Sequence, residues 1–427
     1  MNESRVCIIG AGASGIAAAK VLHEKGIPFD CFEKGSTVGG NWRYLNDNGM
    51  SSAYASLHIN TSKTRTAYSD FPMPEDYPDY PHHTQIAKYL DDCVNHFGFR
   101  NKISFRTEVI DVSPTNDGGW VVTLAHGTQR SYRAVLVANG HHWDPKWVHF
   151  PGRFDGLQMH SHDYKTPHLF VGKNVLVIGM GNSAVDIACE SARVTAQTFV
   201  STRRSAHIIP KYLLGKPVDQ FTTPFTSMLP LALQSLSLRF LLWLAHGSQA
   251  RLGLPEPAHK LHQAHPTISS DLLTLIGHGR IKIKPNVKML AGDKVVFEDD
   301  SRERIDCIVY ATGYNVSFPF FKPEVLTVRD NELPLYRRVV SVQHPNLYFI
   351  GFLQPLGALM PLAELQAQWV AGLLAGECKL PSAAKMQREI IRERKRMRRR
   401  YVASTRHTMQ VDFYSYIRQI KRERRRR

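Results

Sequence analysis

Two glycine-rich loops in this chain have the residue types and spacing to hold dinucleotides, and the residues that follow them point to different nucleotides. The first is Gly10-Ala11-Gly12-Ala13-Ser14-Gly15, directly after the apolar run Val6 to Ile9. The second is Gly179-Met180-Gly181-Asn182-Ser183-Ala184, after Val175 to Ile178 and 169 residues further on. In such a loop the first glycine permits the tight turn, the second lets a pyrophosphate approach the backbone, and the third lets helix pack on strand. One loop suits a simple dehydrogenase. Two suit an enzyme that passes electrons from one nucleotide to another.

The elements needed to position the first loop are present in order. Val6 to Ile9 reads as a strand and Ile16 to Glu24 as the helix whose N-terminal amides face the phosphates. Phe29 to Phe32 reads as the next strand, ending at Glu33, 23 residues after Gly10, where a carboxylate can accept both ribose hydroxyls. These marks alone do not separate FAD from NAD. The N-terminal position favours FAD, as does Gly39-Gly40-Asn41-Trp42, because paired glycines let backbone lie close to a large flat cofactor. Gly40 and Trp42 therefore join Gly10, Gly12, Ser14, Gly15 and Glu33 as candidate FAD residues.

Around the second loop, Lys173 to Ile178 reads as a strand, Ala184 to Glu190 as the start of a helix and Thr198 to Val200 as the next strand. Counting 23 from Gly179 reaches Thr202 instead of an acid, and Arg203 and Arg204 follow. A carboxylate there would repel a 2′-phosphate, whereas arginine makes forked, charge-assisted hydrogen bonds to it. The second site, with Gly179, Gly181, Asn182, Ser183, Arg203 and Arg204, is expected to prefer NADPH over NADH.

Between the loops, Ile103 through Val135 is compatible with a small antiparallel sheet, with turn signals at Pro114 to Gly119 and strand-like runs at Val121 to Leu124 and Arg133 to Val137. Ala138-Asn139-Gly140 resembles Ala311-Thr312-Gly313-Tyr314, and each follows a strand-like run. The repeat suggests two related nucleotide domains, each closing on a glycine turn near its cofactor, which adds Thr312 and Gly313 to the candidates. More than 100 residues follow Gly313, and Phe349-Ile350-Gly351 looks like a last strand returning to the first layer. The expected fold is α/β, with two Rossmann-like dinucleotide-binding domains and the NADPH domain inserted into the FAD domain, a glutathione-reductase-like architecture. The expected boundaries are 1–168 and 307–380 for FAD, 169–306 for NADPH with a substrate-access insertion at about 205–270, and 381–427 for a basic C-terminal helix and tail.

Composition bounds the rest. The chain has 427 residues and a net charge of +17, and Gln387 to Arg427 carries sixteen Lys or Arg against four acids. That tail could meet an anionic surface or nucleic acid, or be a solvated helix with Ile390, Ile391 and Met397 as a thin apolar face and a frayed end. Its aromatics show no regular stacking pattern. The six cysteines form no C-x-x-C pair, so neither a redox disulfide nor a zinc site is suggested, and buried free thiols fit a reducing cytosol. The histidines near the motifs, His58, His141 and His142, have no metal-ligand spacing. Met228 to Ala245 is apolar but short and interrupted by Pro230, Gln234 and Arg239, so it reads as a helix that packs on or lines a tunnel, with interfacial membrane contact as the lesser reading.

The segment Phe154-Asp155-Gly156-Leu157-Gln158-Met159-His160-Ser161-His162-Asp163-Tyr164 resembles the pattern F-x-G-x-x-x-H-x-x-x-(Y/F) of the class B flavin-dependent monooxygenases, and Tyr164-Lys165 favours the flavin-containing monooxygenase group over the Baeyer–Villiger enzymes. Leu57 to Lys63, Asp70 to Pro74, Asn182-Ser183-Ala184 and Ala311 to Tyr314 also resemble that group, and the likeness covers about residues 1 to 375. The resemblance implies FAD and NADPH as cofactors and oxygenation of a soft amine nitrogen or thioether sulfur through a C4a-(hydro)peroxyflavin. It implies molecular oxygen and a small amine or sulfide as partners, and a homodimer. Animal members carry a C-terminal hydrophobic anchor that this chain lacks, so a soluble, microbial-type, cytoplasmic member is expected.

Asn60 matches the family asparagine near flavin C4a and is the leading catalytic candidate, although on sequence alone it would read as a turn residue. His160 is a second candidate, as a proton relay or as an organiser of the linker between domains, and Tyr164 packs or hydrogen-bonds in the same linker. Ser62 and Lys63 could reach a phosphate or a neighbouring loop. A ketone-oxidising Baeyer–Villiger enzyme, an NADPH oxidase or reductase of the same fold, and a nucleic-acid-binding protein using the Arg-rich tail are the competing readings.

Overall fold

The computed structural model describes residues 4–261, 263–401 and 407–427. They form two units, one of Met1–Ala53, Leu57–Asp144 and Asn315–Arg427, the other of Tyr54–Ser56 and Pro145–Tyr314. The second unit is thus an insertion into the first, apart from a three-residue excursion near Tyr54.

Along the chain the first unit supplies β1 (Val6–Ile9), α1 (Ala13–Glu24), β2 (Phe29–Phe32), α2 (Lys63–Thr66), α3 (His83–His96), β3 (Ile103–Ser104), β4 (Val109–Pro114), β5 (Trp120–Leu124), β6 (Gln129–Tyr132) and β7 (Ala134–Val137). The second supplies β8 (Gly152–Phe154), β9 (Leu157–His160), β10 (Asn174–Ile178), α4 (Asn182–Ser191), β11 (Gln197–Ser201), α5 (Leu231–His246), α6 (Leu272–Gly277), β12 (Ile281–Lys284), β13 (Val287–Gly292), β14 (Lys294–Phe297), β15 (Arg302–Arg304) and β16 (Cys307–Tyr310). Back in the first unit come β17 (Leu335–Tyr336), β18 (Val340–Ser341), β19 (Leu347–Phe349), α7 (Met360–Leu374), α8 (Ala383–Arg400) and α9 (Phe413–Arg424).

Every residue of β1 is buried. That is the signature of a strand covered on both faces. Val6 and Ile8 join the core under α1, α3 and α7, while Cys7 and Ile9 join the opposite core with Trp120, Phe318 and Phe349, as the two-residue period of a strand requires. The sheet runs β17-β18-β19-β7-β1-β2-β3. It is parallel from β19 to β3, with Val6 level with both Phe29 and Ala134, and β17 and β18 form an antiparallel edge. The small antiparallel sheet is narrower than its sequence suggests, β4-β5-β6 only. Ile103–Ser104 and Ala134–Val137 belong to the parallel sheet, where all four residues of β7 are buried.

In the second unit β9-β16-β10-β11-β12 form an entirely parallel sheet, and β15-β14-β13-β8 a second sheet that is antiparallel from β15 to β13 and parallel between β13 and β8. Their facing side chains, among them Leu176, Phe199, Val295, Phe297 and Ile308, close one core. The expected packing of the apolar helix differs: of α5 only Leu242 is buried, while Leu236, Phe240, Trp243 and Leu244 lie open. Among the described residues no helix is long and apolar enough to cross a membrane.

The basic C-terminal segment is not a frayed tail. Tyr416, Ile420 and Glu423 of α9 are buried against the first unit. On α8 the apolar face is Met386 and Ile390, while Ile391 is exposed. Its acids Glu389 and Glu393 turn inward to Arg337 and Arg338, which leaves arginines on the outside.

Candidate active site

The first loop is a cradle without side chains. Gly12 caps α1 with no side chain bonded to the first-turn amides, which leaves those N–H groups to a ligand. Gly40 has φ +54°, and a Cβ on it would lie 2.9 Å from the Gly12 Cα, so the paired glycines approach the loop as closely as backbone can. Gly15 has the packing role, since a Cβ there would overlap the Gly10 carbonyl oxygen at 1.8 Å. Ser14 faces Gly351, where a Cβ would come within 2.0 Å of its Oγ. Trp42 is half-buried against the core of α1 and α3.

Glu33 ends β2 almost fully buried. Its Oε2 accepts the Ala11 N–H at 2.7 Å, and its Oε1 accepts the Gly35 N–H at 2.7 Å and Asn48 Nδ2 at 3.2 Å. The carboxylate therefore shapes the loop, and Oε2 keeps one lone pair with which a ribose hydroxyl could bond. Asn46 helps from the same stretch, donating to the Gly40 carbonyl at 3.0 Å. Nothing in the spacing of Asn46 and Asn48 marks them in advance.

Asn60 lies in the loop before α2, and its Oδ1 is buried without a partner among the described residues. The loop around it is tied down. Ile59 N–H donates to the Pro81 carbonyl at 3.0 Å, Lys63 N–H to the Asp79 carbonyl at 2.8 Å, and the Thr61 and Thr66 hydroxyls share a bond of 2.8 Å. Beyond α2, Tyr68 Oη donates to the Ala13 carbonyl at 2.6 Å, Ser69 N–H donates to Glu364 Oε2 at 2.8 Å, and the buried Lys20 of α1 meets both Glu364 and Asp70. Ser62 is buried at the start of α2, where its carbonyl accepts the Thr66 hydroxyl at 3.0 Å. Lys63 takes the neighbouring-loop option, donating to the carbonyls of Pro74, Glu75 and Tyr77. Among the described residues, Asn139 Oδ1 and His141 Nε2, which were not sequence candidates, are also buried and unpartnered. Burial holds the His141 imidazole well below the usual histidine range. Among the described residues no three His, Cys, Asp or Glu gather into a metal-sized cluster.

In the second unit the same plan recurs. Gly179 has φ +130°, and Gly181 caps α4 with no side chain bonded to its amides. Asn182 accepts the Ile268 N–H at 2.8 Å through Oδ1, and Ser183 is exposed in the first turn. After β11, Thr202 Oγ1 accepts the Ser205 N–H at 3.0 Å, and the exposed Arg203 and Arg204 follow. Arg203 makes no side-chain bond among the described residues. Thr312 donates to the Lys146 carbonyl, and Gly313 accepts the Lys146 N–H at 3.0 Å, so this turn is spent on the chain's own backbone.

His160 ends β9 with no exposed surface, its ring packed against Trp147 and Tyr314. Its Nδ1 accepts the His162 N–H at 3.1 Å, which leaves the proton on Nε2, an atom without a partner among the described residues. Burial is the largest influence and holds its pKa down at about 4, so the ring is neutral at pH 7. Tyr164 donates to Glu190 Oε2 at 2.7 Å and stacks on Phe170. Glu190 also accepts Ser56 Oγ at 2.8 Å, and Tyr54 Oη donates to Asp186 Oδ2 at 2.6 Å. These bonds to α4 place Tyr54–Ser56 in the second unit, and no motif announces them.

The fold and both cradles are those of a two-nucleotide flavoprotein, and the comparisons agree. The model of the flavin-binding monooxygenase-like family matches residues 3–424. "Flavin-containing monooxygenase 5" of Rattus norvegicus is 38% identical over 98% of this chain and 82% of its own length. "Dimethylaniline monooxygenase [N-oxide-forming] 2" of Macaca mulatta is 36% identical with the same coverage. The solved S-allyl-L-cysteine S-oxygenase of Allium sativum superposes with a TM-score of 0.76 at 26% identity, covering 99% of this chain and 89% of that one.

The chain belongs to the flavin-binding monooxygenase-like family. It is an NADPH- and O2-dependent FAD monooxygenase that performs N- or S-oxidation. The expectation of a microbial-type member is overturned, because the relatives that match 98% of the chain include rat, rabbit, mouse and human proteins.

Proposed function

We propose that this enzyme oxygenates the nitrogen of a neutral amine or the sulfur of a thioether, with FAD on the first loop, NADPH on the second and Asn60 beside the reacting flavin. The observation that carries the reading is the buried, unpartnered Oδ1 of Asn60 in an otherwise fastened loop. A carboxamide can donate and accept without being an acid strong enough to divert the oxygen chemistry. The bound flavin supplies the centre that takes hydride and reacts with O2. The protein's part is to hold it, orient the nicotinamide and keep water out.

Several features support the assignments around Asn60. Arg203 and Arg204, with no acid at position 202, suit a 2′-phosphate. His160, neutral and enclosed, suits a role in holding the segment from β9 to Tyr164 in place more than proton delivery. The amine and sulfide classes follow the activities for which the macaque and garlic proteins are named. The six cysteines, all free and buried, fit a reducing compartment.

The experiment is Asn60→Ala. The variant retains FAD and most of its anaerobic reduction by NADPH, while product formed per NADPH consumed falls at least about tenfold. Unchanged coupling with a thioether and with a tertiary amine would remove Asn60 from the chemistry.

A further inference from the structure

The first glycine-rich loop is backed by a buried line of hydrogen bonds that ends in the C-terminal helix. Gly351, two residues past β19, has φ +82°, and its Cα rests on Ser14, since a Cβ there would lie 2.0 Å from Ser14 Oγ. The Gly351 N–H donates to Gln366 Oε1 on α7 at 2.8 Å. Gln366 Nε2 donates to the Tyr416 hydroxyl on α9 at 2.7 Å, and that hydroxyl donates to the Arg337 carbonyl at 2.6 Å. Gln366 is 0% exposed and Tyr416 3%. All three bonds run in one direction, so the amide cannot flip without setting its NH2 against the Gly351 N–H.

The far end is fixed as firmly. Arg337 and Arg338 have φ +51° and +60°, two successive non-glycine residues in the left-handed region. Such a turn persists only where its surroundings over-determine it. Here Arg337 is held by Glu389 of α8 and Glu423 of α9, Arg338 by Glu393 of α8, and Tyr336 Oη donates to Glu423 at 2.6 Å. An apolar pair in place of Gln366 and Tyr416 would pack the junction of α7 and α9 at least as well. A satisfied polar line there specifies geometry instead.

The geometry points to Gln366 and Tyr416 as positioning residues for FAD. Through Gly351 they set Ser14, and with it the loop that receives the pyrophosphate, so the basic C-terminal helix is a working part of the flavin site. The inference rests on the reading that the first loop binds FAD.

Tyr416→Phe removes the hydroxyl and keeps the ring. Serial dilution of the purified holoenzyme, with released flavin read by fluorescence, is expected to give a Kd for FAD about tenfold higher than the parent. Affinity for NADP+, measured by calorimetry, is expected to stay within about twofold, because that loop lies in the other unit. Combined with Ser14→Ala, the two effects on FAD affinity are expected to fall short of additive. Gln366→Met is the second variant and is expected to reproduce the loss if Tyr416→Phe does not fold. A merely structural hydroxyl would lower the melting temperature and leave the FAD Kd of the folded protein unchanged; that result in both variants would overturn the inference. Failure of the unsubstituted protein to hold FAD would instead overturn the reading of the loop.

Discussion

Gly10 packs against the carbonyl oxygen of Ala138, so closely that a Cβ on Gly10 would lie 2.8 Å from it. Gly179 stands in the same relation to Ala311, at 2.6 Å. The two loops share a construction: a glycine at positive φ, pressed on the alanine that begins the turn after a parallel strand. Gly10→Ala is expected to prevent FAD retention, seen as loss of the visible flavin spectrum. Gly179→Ala is expected to keep the flavin and lose its reduction by NADPH. A coloured Gly10→Ala protein would contradict the first, and normal reduction of Gly179→Ala the second.

Arg203 and Arg204 follow β11 where a ribose-binding acid would stand in an NAD site. Replacing both with Ser is expected to raise KM for NADPH by about ten- to a hundredfold, the range of one or two charge-assisted bonds, with little change for NADH. Steady-state rates with each nucleotide check this. Equal losses with both would show that the arginines do not read the phosphate.

Tyr54 and Ser56 fasten their segment to α4 through Asp186 and Glu190, and Tyr164 donates to the same Glu190 oxygen. Burial raises the Asp186 carboxyl above its usual range although Tyr54 opposes the shift. Removing the Tyr164 hydroxyl leaves the half-buried Glu190 carboxylate with one partner fewer, at a cost of about 1 kcal/mol. Urea unfolding of Tyr164→Phe measures it, and a change below about 0.5 kcal/mol would show that the strap contributes little.

His160 gives the stability a pH dependence. Its folded pKa is lowered to about 4, chiefly by burial. An unfolded histidine titrates near about 6.5, so between these values the unfolded state binds the extra proton. The stabilisation is fully present above about pH 6.5 and is lost as pH falls toward 4, roughly 3 kcal/mol in all and about 2 by pH 5. The buried His141 contributes in the same direction. His160→Gln is expected to flatten the dependence of unfolding free energy on pH between 7 and 5, and an unaltered slope would mean the ring titrates normally.

The backbone frame of the two loops was legible in the sequence. Gly10 to Gly15 with Glu33, and Gly179 to Ala184 with Arg203-Arg204, each lie in their own strand–loop–helix–strand run, whose order spacing alone fixes; that Glu33 and the arginines meet nucleotides is part of the proposal. Long-range partners were not legible. The bond from Tyr54 to Asp186 spans 132 positions, and neither residue stands in a pattern. The C-terminal charge misled for a related reason: composition counts Arg337, Arg338, Glu389, Glu393 and Glu423 as surface ions, whereas the fold turns them on one another. Asn46 and Asn48 showed no signal beyond following a glycine pair. The microbial expectation failed because the residues at one end of a chain carry no information about descent.

On this proposal electrons pass from NADPH on the second loop to FAD on the first. Anaerobic mixing of the purified protein with NADPH, and separately with NADH, while recording the visible flavin absorbance tests it most directly. Rapid bleaching is expected with NADPH, much slower bleaching with NADH at the same concentration, and loss of that preference in the Arg203→Ser, Arg204→Ser variant. A protein that holds no flavin, or whose flavin is reduced equally fast by both nucleotides, would contradict it.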